Sequence, residues 1–501
     1  MAEPPSALRY DSQCAVPHPL GVRPQGNMYL SESVLEHILF REKSMGKFVS
    51  ISEDLFCGDV LSYCNHSDLA ALSQVSHYAR AFSFHHELWR DLVWNHVGRD
   101  LNREARISFK NSWRDTYIAT VSRKECCKRA RVAEDVVQVR RVFSDSLFES
   151  YRKSGLVPTP RWLGRENIDR VDLQSLMSRQ EFVEQYEKKN KPVILKNFSD
   201  PEWSEMENIF SQVIMECGSV GLSMSEFNEY ISETHCWRLD ESPIFIFDTK
   251  NFSSKIYRPI SLFPSGSDLF DLLEGEFRPD HKWLLVGAPG ASSKWHVDPN
   301  STNAWNAVIK GEKKWILLPP HLGPPPGVEV SGDGFAVRQP ACLTDWLDGG
   351  FYKDLMRLHR DSVVEATCRA GEVMFIPRGW WHCVRNSGDC VTVAITQNYA
   401  AESSVHQVRR FLKEMSHCVS GVRQDVRSRL WKEFDRVLRL KRPDLLPLGT
   451  EDETETSGDK DGCVEKDVAS DDNDSCCGGE VQEFSFWGHF STGNRSLTFQ
   501  R

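Results

Sequence analysis

The sequence predicts an α+β protein: an antiparallel β-sandwich or barrel with flanking helices, preceded by a small all-α domain. Three observations carry that expectation. Between residues 165 and 400, short runs rich in aromatic and β-branched residues recur between Gly, Pro and Asn turns, the pattern of an all-β sandwich or barrel. Before them, residues 49–98 repeat their apolar side chains at helical rather than alternating spacing. With 501 residues, 40% of them hydrophobic, and with 15 Trp and 27 Phe, the chain is long enough to bury a core in two or three domains.

Taken in order, residues 1–48 read as a flexible leader, rich at first in Pro, Gly and Ser and turning helical at SESVLEHILFREK. In the next block Leu55, Val60, Leu61, Leu69, Leu72, Val75, Ala79 and Phe82 recur at helical spacing. A third helix follows through Leu88, Trp89, Leu92 and Val93. Asn65 or Ser67 can cap the second helix. Residues 99–164 read as a linker with helices and a basic stretch, RKECCKRAR, compatible with a nuclear import signal or a solvated helix face.

The β-rich part opens with a helix (LQSLMSRQEFVEQYEKKN) leading into KPVILKNF. Strand-like runs follow: SPIFIFD, HKWLLVGAP, SKWHVDP, TNAWNAVIK, KKWILLPP, GEVMFIPRGWWHCV and CVTVAITQNYA. Residues 401–447 turn helical again, and 448–501 form an acidic tail expected to be disordered, with EFSFWGHF near its end as a segment able to dock back.

Composition narrows the function classes. The net charge of −10 comes from residues 451–480, where twelve Asp/Glu and two Lys sum to −10. The rest balances, 61 − 2 = 59 basic against 71 − 12 = 59 acidic residues, so no strongly basic nucleic-acid surface is implied. The fifteen Cys form no CxxC pair, which argues against a disulfide framework or a zinc ribbon and fits reduced thiols in cytosol or nucleus. No apolar run approaches membrane-spanning length, and the N-terminus lacks the pattern of a secretory signal.

Three His-x-Asp triplets occur. His66-Ser-Asp68 falls at the start of a helix, where Asp68 is a first-turn charge. His359-Arg-Asp361 lacks the Asn and Gly-rich loop of a kinase. His296-Val-Asp298 lies in an extended run, where residues i and i+2 share one face, and an Asp aimed into a barrel costs several kcal/mol unless paired or metal-bound. His382, in FIPRGWWHCV, is the natural third ligand. Two His and one carboxylate with open positions suit non-haem Fe(II) and O₂ chemistry. An acidic cosubstrate would need a cation inside the barrel. Lys313 or Lys314 qualifies; strand alternation puts them on opposite faces, and the sequence leaves the choice open. Asn306, Thr396 and Asn398 are further polar residues able to face inward.

The segments HVDP, AWNAVIKGEKKWILLPP, GEVMFIPRGWWH and VAITQN, in that order and spacing, resemble the JmjC-domain 2-oxoglutarate/Fe(II) oxygenases, over roughly residues 165–440. The runs SPIFIFD, WLLVGAP and ITQNYA are most similar to the phosphatidylserine-receptor-like branch, associated with arginine demethylation and lysyl hydroxylation. The helical block LAALSQVSHYARAF followed by LWRDLVW resembles an F-box, without its usual Leu-Pro start. The pairing of the two is similar to plant F-box/JmjC histone arginine demethylases. The resemblance implies a double-stranded β-helix of jelly-roll or cupin type, with Fe(II), 2-oxoglutarate and O₂ as cofactor and cosubstrates. It makes His296, Asp298 and His382 the metal ligands and assigns Lys313, supported by Asn306 and Thr396, to the far carboxylate of 2-oxoglutarate. It puts Ser293 in the cosubstrate or substrate pocket, Trp381 and Asn398 near the substrate, and Phe227 about where the branch has a cosubstrate-binding Tyr. The expected partner is a histone or other basic protein, in the nucleus and possibly also the cytoplasm. The alternative is a ubiquitin-ligase substrate adaptor whose F-box-like unit binds the adaptor subunit of a cullin ligase.

Overall fold

The structure is a computed structural model. It describes residues 18–97, 106–121, 138–153, 165–173, 177–198, 214–217, 220–232, 240, 243–249, 260–264, 266–332, 334, 336–340, 342–388 and 390–446. The basic stretch and the acidic tail lie outside the described residues.

Fifteen strands are described: β1 (Asp169–Asp172), β2 (Val193–Lys196), β3 (Ile214–Cys217), β4 (Val220–Ser223), β5 (Phe245–Asp248), β6 (Lys282–Gly287), β7 (Ser292–His296), β8 (Asn303–Lys310), β9 (Glu312–Leu318), β10 (Glu329–Val330), β11 (Val337–Arg338), β12 (Val364–Arg369), β13 (Glu372–Ile376), β14 (Trp381–Ser387) and β15 (Thr392–Tyr399). A seven-stranded sheet has the order β1-β2-β13-β8-β15-β6-β5, and a four-stranded sheet the order β12-β9-β14-β7. From β6 to β9 and from β12 to β15 the chain shuttles between the sheets, four strands in each. That is the double-stranded β-helix. Gly311 makes the β8-to-β9 corner at φ +75°, where a Cβ would meet the Val391 carbonyl at 2.9 Å.

Because strand side chains alternate, each sheet has an inward and an outward set. Ala304, Trp315, Leu317, Met374, Ile376 and Val384 pack between the sheets. The outer face of the small sheet, with Trp295, Ile316, Leu318 and Cys383, is covered by helices Leu343–Asp348 and Phe351–His359 from the β9–β12 insertion. Trp305, Ala307, Phe375 and Ile395 on the outer face of the large sheet join the core of the N-terminal helices. Helices Val405–Glu414 and Gln424–Lys441 close a separate core with Leu269, Phe270 and Leu273.

Two boundary expectations are corrected. Residues 18–48 are not a leader: Val22, Met28 and Met45 are buried, and Val34–Met45 is a helix. Nor are the described parts of 99–164 a linker. Ile107, Phe109 and Trp113 are fully buried, and Val139, Val142 and Leu147 complete the same core. A three-helix unit of about fifty residues cannot bury enough surface alone, so it recruits both flanks. Of the two candidate caps, Asn65 is the one used: its side chain accepts from the Ser67 and Asp68 amides, and Asp68 returns a bond to the Asn65 amide.

Several side chains expected to be buried, Leu55 and Val75 among them, are exposed. Other exposed large apolar residues in this part of the chain are Tyr29, Leu30, Leu35, Leu39 and Tyr63.

Candidate metal centre

The antiparallel pairing of β14 with β7 sets His382 directly opposite His296, with the ring centroids 4.1 Å apart. Asp298 lies two residues past the end of β7 in extended conformation, φ −61° and ψ 142°, so it turns the same way as His296. One ligand-capable atom from each of the three lies within 4.8 Å of those of the other two.

Both imidazoles are oriented from behind. His296 Nδ1 bonds the Lys294 carbonyl at 2.7 Å, and His382 Nδ1 bonds the Trp380 carbonyl at 3.1 Å. A carbonyl accepts only, so each Nδ1 carries the proton and Nε2 keeps the lone pair a metal needs. Burial, reinforced by His382, holds His296 well below the ordinary histidine range and keeps it neutral. Burial pushes the Asp298 carboxyl upward, a shift that His382 opposes.

The cavity in front of this triad is lined from both sheets at every second residue: Phe245 and Phe247, Ala304 and Asn306, Lys313 and Trp315, His382 and Val384, Thr396 and Asn398. Ser293, Leu285 and Ile376 complete the wall. Asp298 Oδ2, Asn306 Oδ1 and Asn398 Nδ2 are buried there; the Asn398 side chain lies beside the Asp298 carboxyl, and none of the three makes a hydrogen bond of normal geometry among the described residues. Orphaned polar groups at one cavity are costly and mark a space built for a polar guest. Two nitrogen donors and one carboxylate on one side of that space fit a divalent first-row metal with open positions.

Lys313 answers the question of the two lysines. It lies in the cavity wall, its Nζ 5.8 Å from the Phe245 ring centroid, and no carboxylate pairs with it among the described residues. Burial lowers it to about 8. Lys314 takes the outer face, in the field of the Glu166 and Glu365 carboxylates. Asn306 and Thr396 are cross-strand partners on β8 and β15. The Thr396 hydroxyl donates to the Trp305 carbonyl at 2.9 Å, so it reaches an anion as a donor only if that proton is redirected.

Two expected positions are corrected. Trp381 does not line the cavity; as the neighbour of His382 it points to the other face of β14 and packs on the Trp295 and Trp346 cluster. Phe227 is fully buried in the helix Met224–Ser232 and faces the N-terminal core. The aromatic ring beside Lys313 is Phe245, in the run SPIFIFD, with Phe247 two residues on. Period-2 alternation through that run was the signal available for both.

A cupin-like domain family matches residues 223–404. The chain is 35% identical over 405 residues to the arginine-specific demethylase JMJ22 of Arabidopsis thaliana, covering 79% of this chain and 76% of that protein. It is 27% identical over 304 residues to the bifunctional arginine demethylase and lysyl-hydroxylase psr-1 of Caenorhabditis elegans, 57% of this chain and 71% of the relative. A shorter match, 29% over 141 residues, is to the human 2-oxoglutarate and iron-dependent oxygenase JMJD4, covering 27% of this chain and 30% of that one. Similarity across three quarters of a relative, on a double-stranded β-helix whose interior gathers His296, Asp298 and His382, places this chain in the JmjC-domain family of 2-oxoglutarate- and Fe(II)-dependent dioxygenases.

Proposed function

We propose that the protein oxidises basic side chains of other proteins, removing N-methyl groups from arginine, hydroxylating lysine, or both, with a histone or similar basic protein in the nucleus as substrate. The observation that carries the reading is the His296–Asp298–His382 triad facing Lys313 across one cavity. The relatives named as arginine demethylases and lysyl-hydroxylase support the choice of substrate.

His296 Nε2, His382 Nε2 and one Asp298 oxygen would hold the metal. When bound, Fe(II) with 2-oxoglutarate and O₂ converts a substrate C–H to C–OH while 2-oxoglutarate becomes succinate and CO₂. The chain's own contribution is placement. Lys313, which no carboxylate pairs with among the described residues, would attract the far carboxylate of 2-oxoglutarate, and Asn306 would add a polar contact. Phe245, Phe247, Leu285 and Ile376 keep bulk water from the reacting atoms. Asn398 offers its amide beside Asp298, on the side expected to meet substrate. A hydroxylated N-methyl group collapses to formaldehyde and free arginine nitrogen, whereas a hydroxylated lysine carbon is stable.

The test is succinate formation by the purified chain with Fe(II), 2-oxoglutarate and O₂ over histone and splicing-factor peptides, with His296→Ala alongside. Mass spectrometry of the peptides names the reaction, loss of a methylene for demethylation or gain of one oxygen for hydroxylation. Peptide-independent succinate only, or none, sinks the protein-oxygenase reading.

A second role rests on a separate observation. Several large apolar side chains of the N-terminal helices are exposed, among them Leu35, Leu39, Leu55 and Tyr63, more than scattered surface apolars require. We propose that this F-box-like unit binds the adaptor subunit of a cullin ligase. Co-purification with that subunit, lost on Leu35→Asp/Leu39→Asp, is the expected result.

A further inference from the structure

Asp298 is held differently from its two companions. His296 and His382 sit in paired strands, but β7 stops at His296, so no ladder fixes the carboxylate. Its position depends on the turn that follows. That turn is unusual: Asn300 (φ 57°, ψ 22°) and Ser301 (φ 56°) are consecutive non-glycine residues in the left-handed region. Asn tolerates this region better than most residues, but two non-glycine residues in succession are rare, so the surroundings must hold them there.

The compensating contacts come from 120 residues away. Asn300 is 3% exposed, and its side-chain amide pairs with the Ser420 backbone in both directions. Nδ2 donates to the Ser420 carbonyl at 2.9 Å, and the Ser420 amide donates to Oδ1 at 3.0 Å. The adjacent Gly421 carbonyl accepts from the Asp280 amide at 2.9 Å, fastening the same segment to the chain just before β6. Within the turn, the Thr302 hydroxyl donates to the Pro299 carbonyl at 2.7 Å. Ser420 belongs to the connection between helices Val405–Glu414 and Gln424–Lys441, whose own core is anchored on Leu269, Phe270 and Leu273. The outer end of that connection thus grips the turn carrying a candidate metal ligand.

We propose that Asn300 is a positioning residue for the Asp298 carboxylate, and that through it the C-terminal helical unit sets metal affinity. This rests on the metal reading above. Asn300 never touches the metal. It fixes the turn two residues beyond the ligand, as groups behind metal ligands do at a cost of roughly 10- to 100-fold in affinity when removed.

The test is Co(II) binding to the full chain, followed by the visible absorption of the bound ion, with a thermal melt showing that each variant is folded. Asn300→Gly keeps the left-handed turn accessible and deletes only the amide; its Co(II) Kd is expected to rise about 10- to 100-fold. Asn300→Asp keeps an acceptor for the Ser420 amide but loses the donor, and should fall between. Ser420→Ala should bind as the unmodified chain does, because only the Ser420 backbone is used. An unchanged Kd in folded Asn300→Gly overturns the proposal. Should that variant not fold, an unchanged Kd in Asn300→Asp overturns it equally. An unmodified chain that binds no Co(II), or whose binding survives His296→Ala, overturns the metal reading as well.

Discussion

Lys313, Trp315, His382 and Val384 alternate with Lys314, Ile316, Trp381 and Cys383 along the same two strands, β9 and β14. The first set faces the cavity; the second faces the insertion helices or, for Lys314, a group of carboxylates. Composition hardly separates the two faces, since each holds a Lys and a Trp. Partners separate them. On the outer face a lysine lies in the field of Glu166 and Glu365, while the inner face keeps, among the described residues, a lysine that no carboxylate pairs with and an aspartate oxygen and two amide atoms without a hydrogen-bond partner. One face is finished on folding, and the other is completed by what it binds.

The largest expected contrast lies in activity. His382→Ala should abolish metal-dependent turnover, by roughly a thousandfold or more, about 4 kcal/mol of lost transition-state stabilisation. Its thermal melt should move little. Trp295→Ala, on the outer face, should do the reverse. Trp295 is fully buried against Trp346, and its loss costs about 3–5 kcal/mol in denaturant unfolding. Metal binding by the folded fraction should persist. Collapse of metal binding in Trp295→Ala at temperatures where it is folded would break the distinction between the faces.

The lysines sharpen it. Lys313→Ala should raise the KM for 2-oxoglutarate by roughly 10- to 100-fold, as expected for one lost charge-assisted contact of about 1.5–3 kcal/mol. Lys314→Ala should leave that KM alone. Equal effects from both would mean that the register assigned to β9 is wrong.

The smallest effect is in pH. With Lys313 lowered to about 8 by burial, the free enzyme loses the cationic form as pH rises through 8, so 2-oxoglutarate binding should weaken from there upward. Stability runs the other way. The unfolded chain binds the extra proton up to its ordinary 10.5, so between about 8 and 10.5 this residue's contribution favours folding increasingly as pH rises. Isothermal titration and denaturant unfolding across pH 7–10, compared with Lys313→Met, check both signs.

Much of the site was legible because its chemistry is local. His296 and Asp298 share a face through i, i+2 spacing, and His382 lies in a run of similar strand character. The family motifs then supplied the pairing, which the register of β7 and β14 matches directly. Alternation alone gave Lys313 and Lys314 opposite sides without saying which was inside, since that depends on the parity with which β9 meets β12 and β14. The same parity displaced Trp381. Phe227 was set by a loose likeness of its segment MSEFNEYI, which the structure makes a helix facing the N-terminal core.

What the residues alone pointed to is therefore the inventory: an antiparallel sandwich or barrel, a candidate ligand triad, one of two lysines facing inward and a helical prefix, with the double-stranded β-helix implied by the family resemblance. Long-range packing settled the rest. It turned an apparent leader and linker into one helical core, since a short unit must borrow apolar surface from its flanks. It also joined Asn300 to Ser420, a contact across 120 residues that no periodicity announces. Such a contact exists only once the two layers are brought together, because its partner is a backbone group that any residue at position 420 except proline would present.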